Sequence, residues 1–200
     1  MSEIRGLIFD CDGTLADSMP LHWRAWDTVC RRHGIHFPEE RFYALGGVPS
    51  RQILAMLKDE QHLNFDPLHI SQEKEEAYLP LMAQLRAVEP VAAIARAHRG
   101  QLPMAVATGG QRRVITQILN HLGMGDWFDA VVTSEDVVNQ KPAPDIFLEA
   151  ARRIGVAPQH CRAFEDTDLG MAAIRAAGME AVDVRTILSA APAAAEIKPQ

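Results

Sequence analysis

Two hydrophobic rhythms run through this chain. Short continuous apolar runs read as buried strands: Leu7-Ile8-Phe9, Pro103-Met104-Ala105-Val106-Ala107, Ala130-Val131-Val132-Thr133, Cys161-Arg162-Ala163-Phe164 and Ala181 to Val184. Between them, apolar residues recur at helical spacing. A helix is predicted over 18–32, with Ser18 as its N-cap and Trp26, Val29 and Cys30 on its apolar stripe. Others are predicted over 50–58 (Ile53, Leu54, Leu57) and 67–86 (Ile70, Ala77, Leu81, Leu85), the last broken near Pro80. Further helices are expected near 91–98, after Gly110 to about 122, after Asp145, and up to Ala177 with Gly178 as the stop. The tail from Ser189, rich in Ala and Pro, reads as frayed.

Residues 16–86 thus carry helix signals and no strand signal, with Trp23, Trp26 and Tyr78 as their expected core. From there on strands alternate with helices, which implies a parallel, doubly wound sheet. The expected architecture is α/β: a Rossmann-like core of 1–15 and 87–200, interrupted by a helical cap of 16–86.

The first strand stops abruptly at Asp10-Cys11-Asp12-Gly13-Thr14. Two carboxylates one residue apart repel, so they call for a cation or a shared proton. An all-oxygen donor set favours a hard cation, and Mg²⁺ is the one that usually accompanies phosphate. Thr108-Gly109-Gly110, Lys141 and Glu165-Asp166 also fall at or just past strand ends. In a doubly wound sheet such positions converge on one rim, where open α/β folds bind ligands.

That set is suited to phosphoryl transfer. Asp10 would attack phosphorus, and Asp12, its pKa raised by neighbouring acids and burial, would protonate the leaving oxygen and later deprotonate water. Asp10 and Asp166 would hold the metal, with Glu165 orienting them or binding through water. Lys141 would supply fixed positive charge, and Thr108 with the N–H groups of Gly109 and Gly110 would cradle phosphate oxygens.

Composition narrows the picture further. The chain has 200 residues, a formal charge of −6 and no Lys/Arg block, which argues against nucleic acid or an anionic membrane as the main partner. The N-terminus lacks signal-peptide character, and no apolar run approaches the roughly 18 residues of a membrane span. Cys11, Cys30 and Cys161 share no pairing motif and read as reduced thiols of a cytoplasmic protein, expected to be a monomer. Cys11 is a poor nucleophile, because flanking carboxylates disfavour its thiolate.

The segments Asp10-Cys11-Asp12-Gly13-Thr14, Thr108-Gly109-Gly110, Lys141-Pro142 and Glu165-Asp166 resemble the four motifs of the haloacid dehalogenase superfamily. The helical insertion after the first motif is similar to the cap of the β-phosphoglucomutase-like branch, and the chain as a whole to bacterial sugar phosphatases of the fructose-1-phosphate kind. The resemblance implies a mobile cap over the site, and Mg²⁺ held in part by the backbone carbonyl of Asp12. It also implies a phosphorylated sugar gripped by Ser18, His22, Arg51 and Lys74. Arg51 suits a second phosphate, because its planar fork binds two oxygens.

The sequence departs from the family pattern at Gly110, often Ser or Asn, and at Thr167-Asp168, where a Ser is common; Asp168 reads as a cap for the next helix. A dehalogenase or a phosphonate-cleaving relative is disfavoured by Asp12, and a phospho-accepting receiver by the helical insertion. A phosphomutase on the same fold stays open as the alternative to a phosphatase.

Overall fold

The computed structural model describes residues 3–190. Five parallel strands form one sheet in the order β3-β2-β1-β4-β5: β1 Gly6–Phe9, β2 Met104–Ala107, β3 Ala130–Val132, β4 Cys161–Glu165 and β5 Glu180–Asp183. β1 and β2 are fully buried, which is why they carry no polar residue. The side-chain period of two splits them between two cores. Leu7 and Phe9 pack with Met104, Val106 and Phe164 beneath α5 (Glu89–His98) and α6 (Arg112–His121). Ile8 packs with Ala105, Ala107 and Ala163 beneath α7 (Asp145–Arg153) and α8 (Asp168–Ala176) on the opposite face.

Between β1 and β2 lies the helical insertion: α1 Met19–Arg32, α2 Glu39–Ala44, α3 Ser50–Glu60 and α4 Pro67–Tyr78, then a 3₁₀ turn Leu79–Gln84. Pro80 ends the α-helical part, as expected. The insertion has its own core, in which Trp26 meets Phe37 edge-on at 5.1 Å and Leu54, Leu57 and Ile70 fill the centre. Trp23 is only partly buried against that core, and Tyr78 packs instead with the sheet's own residues. The strand leading out and the strand leading back meet at Ala16, which bridges both Asp12 and Ala87. The insertion is therefore tied to the sheet by two adjacent strands of chain.

Two capping expectations and one strand end are corrected. Ser18 has helical dihedrals (φ −95°, ψ −19°) and makes no side-chain cap; its hydroxyl is bonded to Asp12 instead. α8 is capped by Thr167, whose hydroxyl accepts from the N–H of Gly170, while Asp168 opens the helix and pairs with Arg185. The last strand ends a residue early, at Asp183, and α9 (Val184–Ala190) follows where no helix was foreseen. Ser189 and Ala190 belong to that helix; the expected frayed tail from 191 onward lies outside the described residues.

Candidate active site

Register brings the acids together. Phe9 pairs with Phe164, so the residues just beyond, Asp10 and Glu165-Asp166, emerge side by side at the C-terminal rim. The Asp10 N–H extends the ladder by donating to the carbonyl of Phe164. On the other side Phe9 pairs with Val106, which delivers Thr108 to the same rim.

Lys141 reaches in from the loop before α7. Its ammonium, buried, donates to Asp10 Oδ1 and Glu165 Oε1, both at 2.7 Å. Burial alone would push the ammonium toward neutrality, but the two carboxylates raise its pKa, so it stays charged. Glu165 is fully buried, and its second oxygen accepts from the N–H and hydroxyl of Thr167. Both its oxygens are thus engaged by the protein. Asp166 accepts from the Thr14 hydroxyl at 3.1 Å. Gly13 crosses directly over Asp166 with φ +85°; a Cβ there would overlap Asp166 Oδ2.

Oxygens of Asp10, Glu165 and Asp166 lie within 4.8 Å of one another. Burial, then the neighbouring carboxylates, push the Asp10 pKa well up despite Lys141, and bring Asp166 to about 7. Three crowded acids against one ammonium leave uncompensated negative charge, and the donors are all oxygen. The trio fits a hard divalent cation. Cys11, beside it, is also pushed well up by burial and by Asp12 and Asp10, and does not serve as a thiolate.

Asp12 sits apart from that trio. Its Oδ1 accepts from the Ser18 hydroxyl at 2.5 Å and from His22 Nε2 at 3.1 Å. Lys74, buried, donates to His22 Nδ1 at 2.9 Å and to Glu75 at 3.1 Å. Lysine has donors only, so Nδ1 accepts and Nε2–H faces Asp12. His22 stacks on Tyr78 at 3.9 Å. The expected raised pKa of Asp12 is corrected. Burial does act to raise it, but the pull of His22, its hydrogen bond, that of Ser18 and the charge of Lys74 together bring it to about 2. Ser18 is sequestered behind Asp12 and is not part of the pocket wall.

The helical insertion lies directly on the rim. A small inner pocket of about 70 Å³ is walled by Asp10, Asp12, His22, Lys74, Thr108 and Gly109. Gly47, from the loop before α3, closes one side of it: a Cβ at Gly109 would overlap the Gly47 carbonyl oxygen. Gln111 Nε2 donates across the same seam to Ser71 Oγ at 3.4 Å. The N–H of Gly110 is taken by the Thr108 hydroxyl at 3.1 Å, so that loop is folded on itself. Arg51 stands outside the inner pocket, exposed, on the wall of a larger neighbouring chamber. Sequence reasoning missed Thr167, Tyr78, Glu75 and Gln111; Thr167 directly follows the Glu165-Asp166 pair, whereas the others carry no local signal.

A parallel sheet with a buried acid–lysine cluster at its rim and a helical insertion over it defines a Rossmann-like α/β enzyme site. A family model described as haloacid dehalogenase-like hydrolase matches residues 4–178, and the chain belongs to that family of enzymes. It is 40% identical over 182 residues to the fructose-1-phosphate phosphatase YqaB of Escherichia coli (strain K12), covering 91% of this chain and 97% of that one. It is 28% identical to the β-phosphoglucomutase of Bacillus subtilis (strain 168), over 90% and 83% of the two chains. A crystal structure of β-phosphoglucomutase from Clostridium difficile superposes with a TM-score of 0.83 at 24% identity, over 94% of this chain and 88% of that one. Among the described residues, no helix is long and apolar enough to cross a membrane.

Proposed function

We propose that this chain is a Mg²⁺-dependent phosphatase that hydrolyses small sugar phosphates through an aspartyl-phosphate on Asp10. Residues 1–15 and 87–200 are its catalytic core and 16–86 its cap. One observation carries the reading: Asp10, held by Lys141 within a buried acidic trio, shares one pocket with Asp12. The 40% identity to a named sugar-phosphate phosphatase supports the substrate class. Three buried free thiols accord with a cytoplasmic enzyme.

Asp10 Oδ1 is fixed by Lys141, and among the described residues Oδ2 accepts no hydrogen bond, which leaves it for attack. Asp10 displaces the sugar oxygen at phosphorus; the P–O bond to the sugar breaks, and the leaving oxygen takes a proton from Asp12. Water then attacks the phosphorus of the aspartyl ester, gives its proton to Asp12 and releases phosphate with Asp10 restored. The proton that Asp12 gives in the first half is the one it regains from water in the second, while His22 Nε2–H, itself held by Lys74, steadies the carboxylate between the two. Ser18 keeps Asp12 pointed. Thr108 and Gly109 line the phosphate position. Asp10, Asp166 and the Asp12 carbonyl would hold Mg²⁺, which when bound neutralises charge on the transferring group.

The test is phosphate release from a panel of sugar phosphates with Mg²⁺ and with chelator. Sustained release that needs Mg²⁺ is expected. Stoichiometric labelling without turnover, or isomerisation of β-glucose 1-phosphate outrunning release, would contradict the phosphatase reading.

A further inference from the structure

The acidic trio borders two separate cavities. Asp10 lines the inner pocket, whereas Asp166, the half-buried member of the trio, lines a cleft of about 460 Å³. That cleft lies between the helical insertion, at α1 and α2, and the core, at α8 and α9. Of the residues lining the two cavities, only Met19 is common to both. The partition between them is tight. A Cβ at Gly46, on the pocket side, would stand 2.8 Å from Thr167 Cγ2, on the cleft side, and 3.8 Å from Met19 Cε. Gly13, which directly follows the Asp12 carbonyl, lines the cleft with Asp166. The trio thus has an approach from solvent that does not cross the inner pocket.

The charges along this approach suit a cation. Asp17, Asp166 and Asp168 line the cleft against one cation, Arg185. Arg185 is itself held by Asp168 and Asp183, each at 2.7 Å, so its charge is more than matched. Asp17 is exposed and has no cationic partner among the described residues. Burial, then Glu39 and Asp17, push the Tyr43 phenol up, which registers negative potential at the mouth. The rest of the wall is largely apolar, with Pro20, Tyr43, Ala44 and Leu188. Such walls give a cation no ligand to stop at. Their low dielectric also focuses the field of the acids on the opening. The inner pocket offers a poorer route, because at about 70 Å³ it is obstructed by any phosphoryl group bound in it.

We infer that this cleft is a dedicated metal port. The divalent cation reaches and leaves the trio between α1–α2 and α8–α9, and not through the pocket that takes the substrate. The ion then exchanges while the insertion stays closed over a bound phosphoryl group. Asp17 and Asp168 draw the cation in, Arg185 tempers their field, and Ala44 and Leu188 form the rim. The inference rests on the assignment of a metal to the trio and adds the route by which that metal comes and goes.

The experiment follows Mn²⁺ association with the metal-free full chain, by loss of the free-ion signal in rapid freeze-quench EPR. Ala44→Arg sets a cation on the exposed rim and is expected to slow association by about ten-fold, the low end of electrostatic steering. Its Mn²⁺ affinity at equilibrium should move far less, because a charge at the rim hinders entry and exit alike. Gln72→Arg sets the same charge on the exposed wall of the chamber beside the inner pocket, and should leave the rate within about two-fold, since salt screens distant exposed charges. Arg185→Gln should speed association and steepen its dependence on salt. Slowing by Gln72→Arg without slowing by Ala44→Arg would place entry on the substrate side and overturn the inference. Equal effects of the two arginines, or none from either, overturn it as well. A chain that binds no Mn²⁺ removes the metal and the port together. A chain that takes up Mn²⁺ as expected yet releases no phosphate from any sugar phosphate overturns the phosphatase reading alone.

Discussion

At the scale of single residues, the account separates two carboxylates that look alike in sequence. Asp10 is bound by Lys141 and crowded by acids, whereas Asp12 belongs to Ser18, His22 and Lys74. Asp10→Asn should abolish turnover and leave the circular dichroism spectrum unchanged, because an amide neither attacks phosphorus nor holds a cation well. Asp12→Asn should lower kcat by ~10²–10⁴-fold, the usual worth of a general acid–base group. His22 is one of the groups that hold Asp12 at about 2. His22→Leu should therefore raise the Asp12 pKa and move the acid limb of kcat to higher pH; an unmoved limb in an active variant would show that His22 does not tune Asp12. Asp10, Asp12, Lys141 and Asp166 were legible because each follows or flanks a strand. The Asp12 environment was not, because His22 and Lys74 are 52 positions apart and meet only through packing. Ser18 satisfied the rule for an N-cap, yet its hydroxyl had a stronger acceptor in a nearby carboxylate.

At the scale of elements, the decisive contact is between two glycine-containing turns, Gly46-Gly47 before α3 and Gly109-Gly110 before α6. Their backbones touch, and no side chain fits between them. Gly109→Ala should hold the helical insertion off the rim and cut kcat by up to ~10²-fold, the scale of losing alignment in a site of this kind, with little change in thermal stability. Unaltered kinetics would show that this seam does not govern closure. The strands and most helices could be read from the sequence because buried parallel strands are continuous apolar runs and the helices keep their stripe. α9 was missed: it starts at Val184, within what reads as the end of a strand, and that residue is buried on the sheet's core.

At the scale of the whole molecule, charge at the rim couples stability to metal and pH. Asp166 has a folded pKa of about 7 against an ordinary value of 3.8, and Asp10 is raised as well. A carboxyl whose folded pKa is raised favours the fold fully below its unfolded value. That contribution is lost as pH climbs from about 4 through 7. The metal-free protein should therefore lose this part of its stability across that range. A cation that binds only the ionised trio restores it, so Mg²⁺ should raise Tm more at pH 8 than at pH 6. Asp166→Asn should weaken both the pH dependence and the Mg²⁺ response; a Tm that ignores Mg²⁺ at pH 8 would deny the trio its ion. The helix-only stretch stood out where strand signals stop and resume, whereas the chamber beside the inner pocket did not, because neutral amides such as Gln111 and Gln140 carry no motif. The central claim, hydrolysis through Asp10, is tested most directly by rapid acid quench during turnover of a labelled sugar phosphate with Mg²⁺. The account predicts a transient phosphoryl label on Asp10, absent from Asp10→Asn, alongside net phosphate release. Sustained release from a chain that never carries the label would contradict it.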